Sequence, residues 1–281
     1  MPRKVAVLIA AHNAEKTIRD AVESVLCGSY PCRVFVIDDA SRVPVASMLG
    51  TYGGRVEIIR LDQNRGPAGA RNVGLARILA QDFDYVAIQD ADDVSYADRL
   101  ATQAARLDAD ATLGAVGSWT KHFDEDTGGT LLYRKRPVDA ASIRNMMFFN
   151  IGLSHASTMF RAEALRVVGG YDAAYPAAED YELLRRIATR YDLANVPEYL
   201  LAYRVSSQGQ SLRRRRRQLF DRLRVQIKYF APLQWRAWAG AAQTIASFVI
   251  PTELVGTLKR RWLRHRGQGY VLRPLTAHPA E

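Results

Sequence analysis

The chain opens on an unbroken apolar run, Val5–Ala10, of the length expected for a strand buried on both faces. His12 and Asn13 interrupt it, so it reads as a strand rather than the apolar core of a signal peptide. Asn13 is placed to cap the next segment, where Ile18, Val22, Val25 and Leu26 share one helical face. Arg33–Ile37 reads as a second strand, ending in Asp38-Asp39-Ala40-Ser41, and Val56–Ile59 as a short third. Pro67 suits the first turn of a helix. Tyr85–Gln89 is a fourth buried strand, ending in Asp90-Ala91-Asp92-Asp93. Beyond residue 110 the pattern loosens. Strands are expected near Leu113–Ser118 and Ser157–Phe160, helices over Arg161–Val168 and Glu179–Arg190, a turn at Gly169-Gly170 and extended chain over Leu193–Val205.

Strand and helix alternating in this way predict an α/β fold with a largely parallel sheet and right-handed crossovers. Ligands of such sheets bind beyond the carboxyl ends of the strands. The polar clusters fall there: His12-Asn13 after the first strand, Asp38-Asp39 after the second and Asp90–Asp93 after the fourth. The first turn lacks the G-x-G-x-x-G fingerprint, which disfavours a nicotinamide-binding enzyme.

Composition and charge refine this picture. Hydrophobic residues make up 48% and charged residues 24% of the 281, the balance of a folded protein rather than a disordered one. The net charge of +10 is confined to one end: residues 205–281 hold 15 Lys and Arg against three acids, and residues 1–204 are close to neutral. A nucleic-acid-binding main body is therefore not expected. The expected division is one α/β domain over 1–205, with a first half to about 110 and a second over 111–205, followed by a basic amphipathic helical tail over 206–281. Cys27 and Cys32 match no metal-site spacing and read as thiols in a reducing compartment.

The candidate chemistry is carboxylate chemistry. Asp90 and Asp92 stand one residue apart at a strand end, so both point the same way and suit an oxygen-ligated Mg2+ or Mn2+ that also binds phosphates; a solvated acidic turn is the other reading. Asp38 can accept from a base N–H or a ribose hydroxyl, or simply shape a turn. Arg71, one turn inside a helix, can meet a base carbonyl or a phosphate, or pair with a surface carboxylate. Asp180 opens a helix, where the dipole favours acids without any function; as a general base it would serve an acceptor hydroxyl. His155 reads more readily as structural than as part of an acceptor site.

Taken in order, these segments resemble the family 2 glycosyltransferases. The resemblance rests on Val5–Leu26 with His12-Asn13, Ile37-Asp38-Asp39-Ala40-Ser41, Asn64-Arg65-Gly66 to Ala70-Arg71-Asn72, Asp90-Ala91-Asp92-Asp93, Val168-Gly169-Gly170-Tyr171-Asp172 and Glu179-Asp180-Tyr181, and covers residues 4–205. It implies the GT-A fold, a mixed, mostly parallel sheet flanked by helices, and inverting transfer from a nucleotide-diphosphate sugar, UDP by preference. It assigns the base to Asp38 with Arg71, the donor ribose or sugar to Asp90, the metal to Asp92 and the catalytic base to Asp180. Ala11, His12, Asn13 and Ala91 fall among the donor contacts, and Tyr203-Arg204 with Ser206, Ser207 and Ser211 is similar to the family's loop over the diphosphate, which adds Arg204. Ala11-His12 departs from the family's Pro or Ser followed by an aromatic. The Q-x-x-R-W motif is missing, Leu258 standing where Gln is needed before Arg261-Trp262, so a polymerising synthase is not expected.

The expected partners are a nucleotide sugar and a glycan or lipid-linked acceptor in cell-surface polysaccharide or glycolipid assembly. In the tail, Arg213–Arg217 precedes Leu219, Phe220, Leu223, Ile227 and Phe230 at helical spacing, and Ala237–Thr252 is uncharged but short for a membrane crossing. With Trp235, Trp238, Trp262 and Lys259-Arg260-Arg261 it reads as a peripheral anchor to anionic lipid on the inner face of the cytoplasmic membrane. Packing of the tail on the catalytic domain is the other reading. A sugar-phosphate nucleotidyltransferase is disfavoured because Ala11–Ala14 is not a Gly-rich loop with a Lys or Arg. A catalytically inactive membrane-attached binding protein would need to have lost acids that are all present.

Overall fold

The computed structural model describes residues 3–205 and 215–249. Four strands alternate with helices as the hydrophobic pattern predicts: β1 (Val5–Ala11), α1 (Ile18–Leu26), β2 (Cys32–Asp38), β3 (Val56–Arg60), α2 (Gly66–Leu79) and β4 (Tyr85–Asp90). Short β5 (Val94–Ser95) and α3 (Arg99–Asp108) follow. The second half contains β6 (Leu113–Asp124), β7 (Thr130–Arg134), α4 (Ala140–Met146), β8 (Met159–Arg161), α5 (Ala162–Val168), α6 (Glu179–Ile187) and β9 (Asp192–Val205). Two more helices, α7 (Arg215–Lys228) and α8 (Trp235–Val249), close the described chain.

Among the described residues the strands form one mixed sheet in the order β3-β2-β1-β4-β8-β6-β9-β5, with β7 beside β6. β1 runs parallel to both β2 and β4, in a register that sets Ala11 beside Asp38 and Ala10 beside Asp90. Three polar strand ends thus meet at one edge. β8 is antiparallel to β4 and β6, and β6 pairs in parallel with β9. Alternation along β1 divides the core: Leu8 packs with α2, α5 and α6, while Val7 and Ile9 pack with α1 and α3 on the other face.

Some local expectations change. Asn13 does not cap α1: Thr17 stands at that boundary, and Asn13 sits at φ 52° with its Oδ1 accepting the Arg42 N–H at 2.9 Å. The strand begun at Leu113 runs on to Asp124, and the helix begun at Glu179 stops at Ile187. α3, β5, β7 and α4 were not legible as elements. In α3 the buried stripe contains Arg99 and Gln103 as well as Leu100, Ala104 and Leu107, so the apolar period is broken. Arg99 is fully buried, donating to the Ile88 carbonyl, Gln89 Oε1, Ser95 Oγ and Gln103 Oε1. Burial lowers its pKa to about 10, against the pull of Asp93 and Asp90.

α7 is seated on the preceding domain. Its buried Asp221 accepts the Ala177 N–H, its Gln226 donates to the Phe148 carbonyl, and Lys228 donates to Glu182 of α6 at 2.8 Å, as does the Tyr229 hydroxyl just beyond the helix. α8 crosses above, and Gly240 fits directly on the Phe148 carbonyl: a Cβ there would stand 1.9 Å from that oxygen. Arg213, Arg214, Ser206, Ser207, Ser211, Lys259–Arg261 and Trp262 lie outside the described residues. No helix among the described residues is long and apolar enough to cross a membrane.

Candidate active site

A cleft of about 730 Å3 opens at the carboxyl ends of β1, β2 and β4. Its walls come from the His12–Thr17 loop, Asp39, the start of α2 from Asn64 to Arg71, Asp90–Asp92, Glu125 and the end of β9 from Tyr203 to Val205. Of the predicted residues, His12, Asn13, Arg71, Asp90, Ala91, Asp92 and Arg204 line it together. Ala11, Asp38 and Asp180 do not.

The loop after β1 is held by its own polar groups. His12 Nδ1 lies 2.7 Å from the Asp39 carbonyl, which can only accept, so Nδ1 carries the proton and Nε2 accepts from Asn13 Nδ2 at 3.0 Å. The Ala11 carbonyl accepts the Asp39 N–H, making Ala11 a backbone support beneath the cleft.

Asp38, expected to meet the base, is not among the residues that line the cleft. It is 1% exposed, and its carboxylate is already satisfied: Oδ1 by the Ser41 N–H at 2.9 Å, Oδ2 by the Val45 N–H at 3.1 Å and Arg60 at 2.6 Å. Burial alone would raise its pKa, but these donors hold it below the ordinary value. Ala40, at φ 55°, turns the chain so that Asp39 lines the cleft instead, with Oδ1 accepting the Arg65 N–H at 2.7 Å.

At the end of β4, one oxygen each from Asp90, Asp92 and Asp93 lies within 4.8 Å of the others. The Asp92 oxygens face solvent, yet crowding by surrounding protein and then repulsion from Asp90 push its carboxyl up to about 6. Asp93 is buried, and burial followed by Asp90 and Asp92 raises it well above the carboxylate range. Its Oδ1 accepts the Arg204 N–H at 2.9 Å; its Oδ2 is buried without a hydrogen-bond partner. Three carboxylates with one buried, unpartnered oxygen make a set that could hold a hard divalent cation. Arg204 closes this side, its Nε donating to the Asp92 carbonyl at 2.8 Å and its guanidinium lying 5.0 Å over the Phe123 ring.

Arg71 joins the strand end to α6. It donates to Asp90 at 2.8 Å and to Glu179 at 3.3 Å, with Tyr171 5.7 Å beneath. Burial opposes its charge, but Asp90, Tyr171 and Glu179 together hold its pKa above the ordinary value. Glu179 is raised to about 7 by burial and then by Asp180, against Arg71. Asp180, the next residue, lies outside the cleft lining, its Oδ1 accepting the Tyr181 N–H at 2.7 Å. Its charge nevertheless reaches His155, Arg136 and Arg222 and favours their protonated forms. His155 hydrogen-bonds the Tyr171 hydroxyl at 2.9 Å; burial, then Arg71, lowers it to about 4, so it is neutral near pH 7.

The sequence reading did not single out Glu125, and it named Glu179, Tyr203, Asp39 and Asp93 within motifs without giving them roles of their own. Asp93 adjoins the D-x-D pair and Asp39 adjoins Asp38; Glu125 and Tyr203 reach the cleft through strand pairing, and Glu179 reaches Asp90 only through Arg71.

Residues 6–169 match the sequence profile described as Glycosyl transferase family 2. The chain is 29% identical over 221 residues to the putative glycosyltransferase EpsE of Bacillus subtilis, covering 75% of this chain and 76% of that one. It is 36% identical over 107 residues to the succinoglycan biosynthesis protein ExoO of Rhizobium meliloti, 37% of this chain and 30% of that one. Among solved structures, TarS 1–349 of S. aureus in complex with UDP-GlcNAc is similar with a TM-score of 0.64 at 18% identity, over 88% of this chain and 71% of that one. The mannosyltransferase PcManGT from Pyrobaculum calidifontis, in complex with GDP-Man and Mn2+, gives 0.64 at 20% identity over 94% and 81%. These two share the fold. The chain belongs to glycosyl transferase family 2.

Proposed function

We propose that this glycosyltransferase moves a sugar from a nucleotide-diphosphate donor, UDP-linked by preference, to a hydroxyl of a glycan or lipid-linked acceptor, with inversion at the anomeric carbon. The observation that carries the reading is the chain of charge Asp92–Asp90–Arg71–Glu179, which ties a cation-ready strand end to the helix bearing Asp180. The printed descriptions of relatives, succinoglycan biosynthesis for ExoO and teichuronic acid biosynthesis for TuaG, support cell-surface polysaccharide assembly. UDP-GlcNAc in one structural neighbour and GDP-Man in another support a nucleotide sugar.

In this reading Asp39, not Asp38, meets the base or ribose, since only Asp39 faces the cleft. Asp92, Asp90 and Asp93 would hold a Mn2+ or Mg2+, which supplies positive charge against the departing diphosphate. Arg204 and the positive end of α2, where Gly66 and Pro67 begin the helix, add to that charge. Asp180 takes the acceptor hydroxyl proton. The acceptor oxygen bonds to the anomeric carbon as the bond to the diphosphate oxygen breaks on the opposite face, a single displacement.

Turnover of a radiolabelled nucleotide sugar and calorimetric nucleotide titration test this directly. Asp180→Asn is expected to abolish turnover while nucleotide binding persists, and Asp92→Ala to remove the Mn2+-dependent part of that binding. Near-normal turnover in Asp180→Asn would refute the base assignment.

A further inference from the structure

α8 is built with its amphipathy reversed. The residues it buries are small, Ala237, Gly240 and Thr244, lying along the side that meets Phe148 and α7. The large apolar residues point the other way: Trp235 is 64% exposed, Trp238 60%, Ile245 54% and Val249 82%. Their spacing of three, seven and four residues keeps them on one helical face. The turn before the helix extends the surface, with Leu233 fully exposed and Phe230 packed edge-on against Trp238 at 4.8 Å. Such an area of exposed apolar side chains marks a binding surface rather than ordinary scatter.

The charge of the segment that bears it is mostly positive. Residues 215–249 contain seven Lys and Arg against a single acid, Asp221, which is buried and paired with Arg224. Arg216 and Arg217 are exposed on α7, and Arg236 lies 4.8 Å over the Trp235 ring. Beside the turn, a cavity of about 470 Å3 lined by Arg144, Arg185, Phe148, Tyr229 and Gln234 contains no carboxylate. Exposed tryptophans with aliphatic neighbours, near exposed arginines and in a segment whose single acid is buried, match the boundary between headgroups and acyl chains of an anionic bilayer.

We propose that the outer face of α8, with the Leu233 turn, docks flat on an anionic lipid surface. The helix lies in the interface and does not span it, consistent with its length and with the absence of a crossing helix among the described residues. The full chain is tested by flotation with vesicles of phosphatidylcholine, with and without phosphatidylglycerol, against the triple variant Trp235→Ser, Trp238→Ser, Ile245→Ser. Wild type is expected to float with the phosphatidylglycerol vesicles, and the variant's bound fraction to fall about tenfold with an unchanged unfolding midpoint and mass by light scattering. Equal flotation of the two proteins overturns the proposal, as does recovery indifferent to lipid charge. A lowered midpoint or altered mass in the variant also overturns it, because the face is then covered by another part of this chain or by a second copy.

Discussion

Arg71 and Glu179, 108 residues apart in sequence, form a buried ion pair at 3.3 Å, and the same guanidinium holds Asp90 at 2.8 Å. One cation thus spans two carboxylates from different halves of the fold. Replacing Arg71 by Met leaves both acids facing each other without it. The expected loss is about 3 kcal/mol of stability, read by denaturant unfolding, together with a fall in turnover of at least about a hundredfold. Arg71→Lys is expected to recover only part of both, since one ammonium cannot fork between two carboxylates. Full recovery by Lys would show that charge alone suffices.

Asp38 and Asp39 are adjacent, yet the fold gives them opposite tasks. Asp38→Asn removes the charge gripped by Arg60 and the Ser41 and Val45 amides, and is expected to cost about 2 kcal/mol of stability. Asp39→Asn is expected to leave the unfolding midpoint nearly unchanged and to weaken nucleotide binding about tenfold, the worth of one charge-assisted hydrogen bond. Calorimetry with UDP and GDP, beside thermal unfolding, distinguishes them; the reverse pattern would return the nucleotide to Asp38.

This pair also shows where sequence reading stops. The strand ends were legible because each apolar run breaks at a polar residue: Ala11 to His12, Ile37 to Asp38, Ile88 to Gln89. Which acid faces the cleft was not, since Val34 to Asp38 are all buried and alternation leaves no inside or outside to read. α3 was hidden by Arg99 and Gln103 on its inner stripe. The Arg71–Glu179 pair depends on α2 and α6 meeting across β4, β8 and β6, which no local pattern encodes. The register between β6 and β9 is interrupted by bulges near Ser118 to Thr120, so neither strand alone points to Tyr203 as a cleft residue.

Gly240 is the contact on which α8 rests. A methyl group there meets the Phe148 carbonyl oxygen and crowds the Gln226 amide that donates to it. Gly240→Ala is expected to lower stability by about 2 kcal/mol and to expose the Trp235–Val249 segment to proteolysis. Ala242→Gly, on the exposed side, is expected to cost no more than about 1 kcal/mol. Equal sensitivity of the two variants would mean that α8 does not sit on residue 148.

Glu182 locks α6 to α7. Burial would raise its carboxyl, but donation by Arg186, Lys228 and Tyr229 outweighs this and holds it below the ordinary value. A carboxyl lowered by folding stabilises above its unfolded value, near about 4.3, and that contribution is lost as pH falls through the folded value. Glu182→Gln lacks the charge at every pH. The unfolding free energies of the two proteins should differ by about 3 kcal/mol at neutral pH, and the gap should begin to narrow as pH falls below about 4.3 and close only below the folded value; a gap that stays constant into acid would point to packing rather than charge.

Arg99 has a consequence for every ligand that reaches the acidic strand end. Its guanidinium is anchored by four acceptors and enclosed on all sides, so it neither swings away nor releases its proton at physiological pH. The carboxylates in front therefore work against a constant background potential from behind. On the proposed reaction, exchange of one cation or sugar nucleotide for another would change the foreground alone, and the strand end would serve as a common electrode.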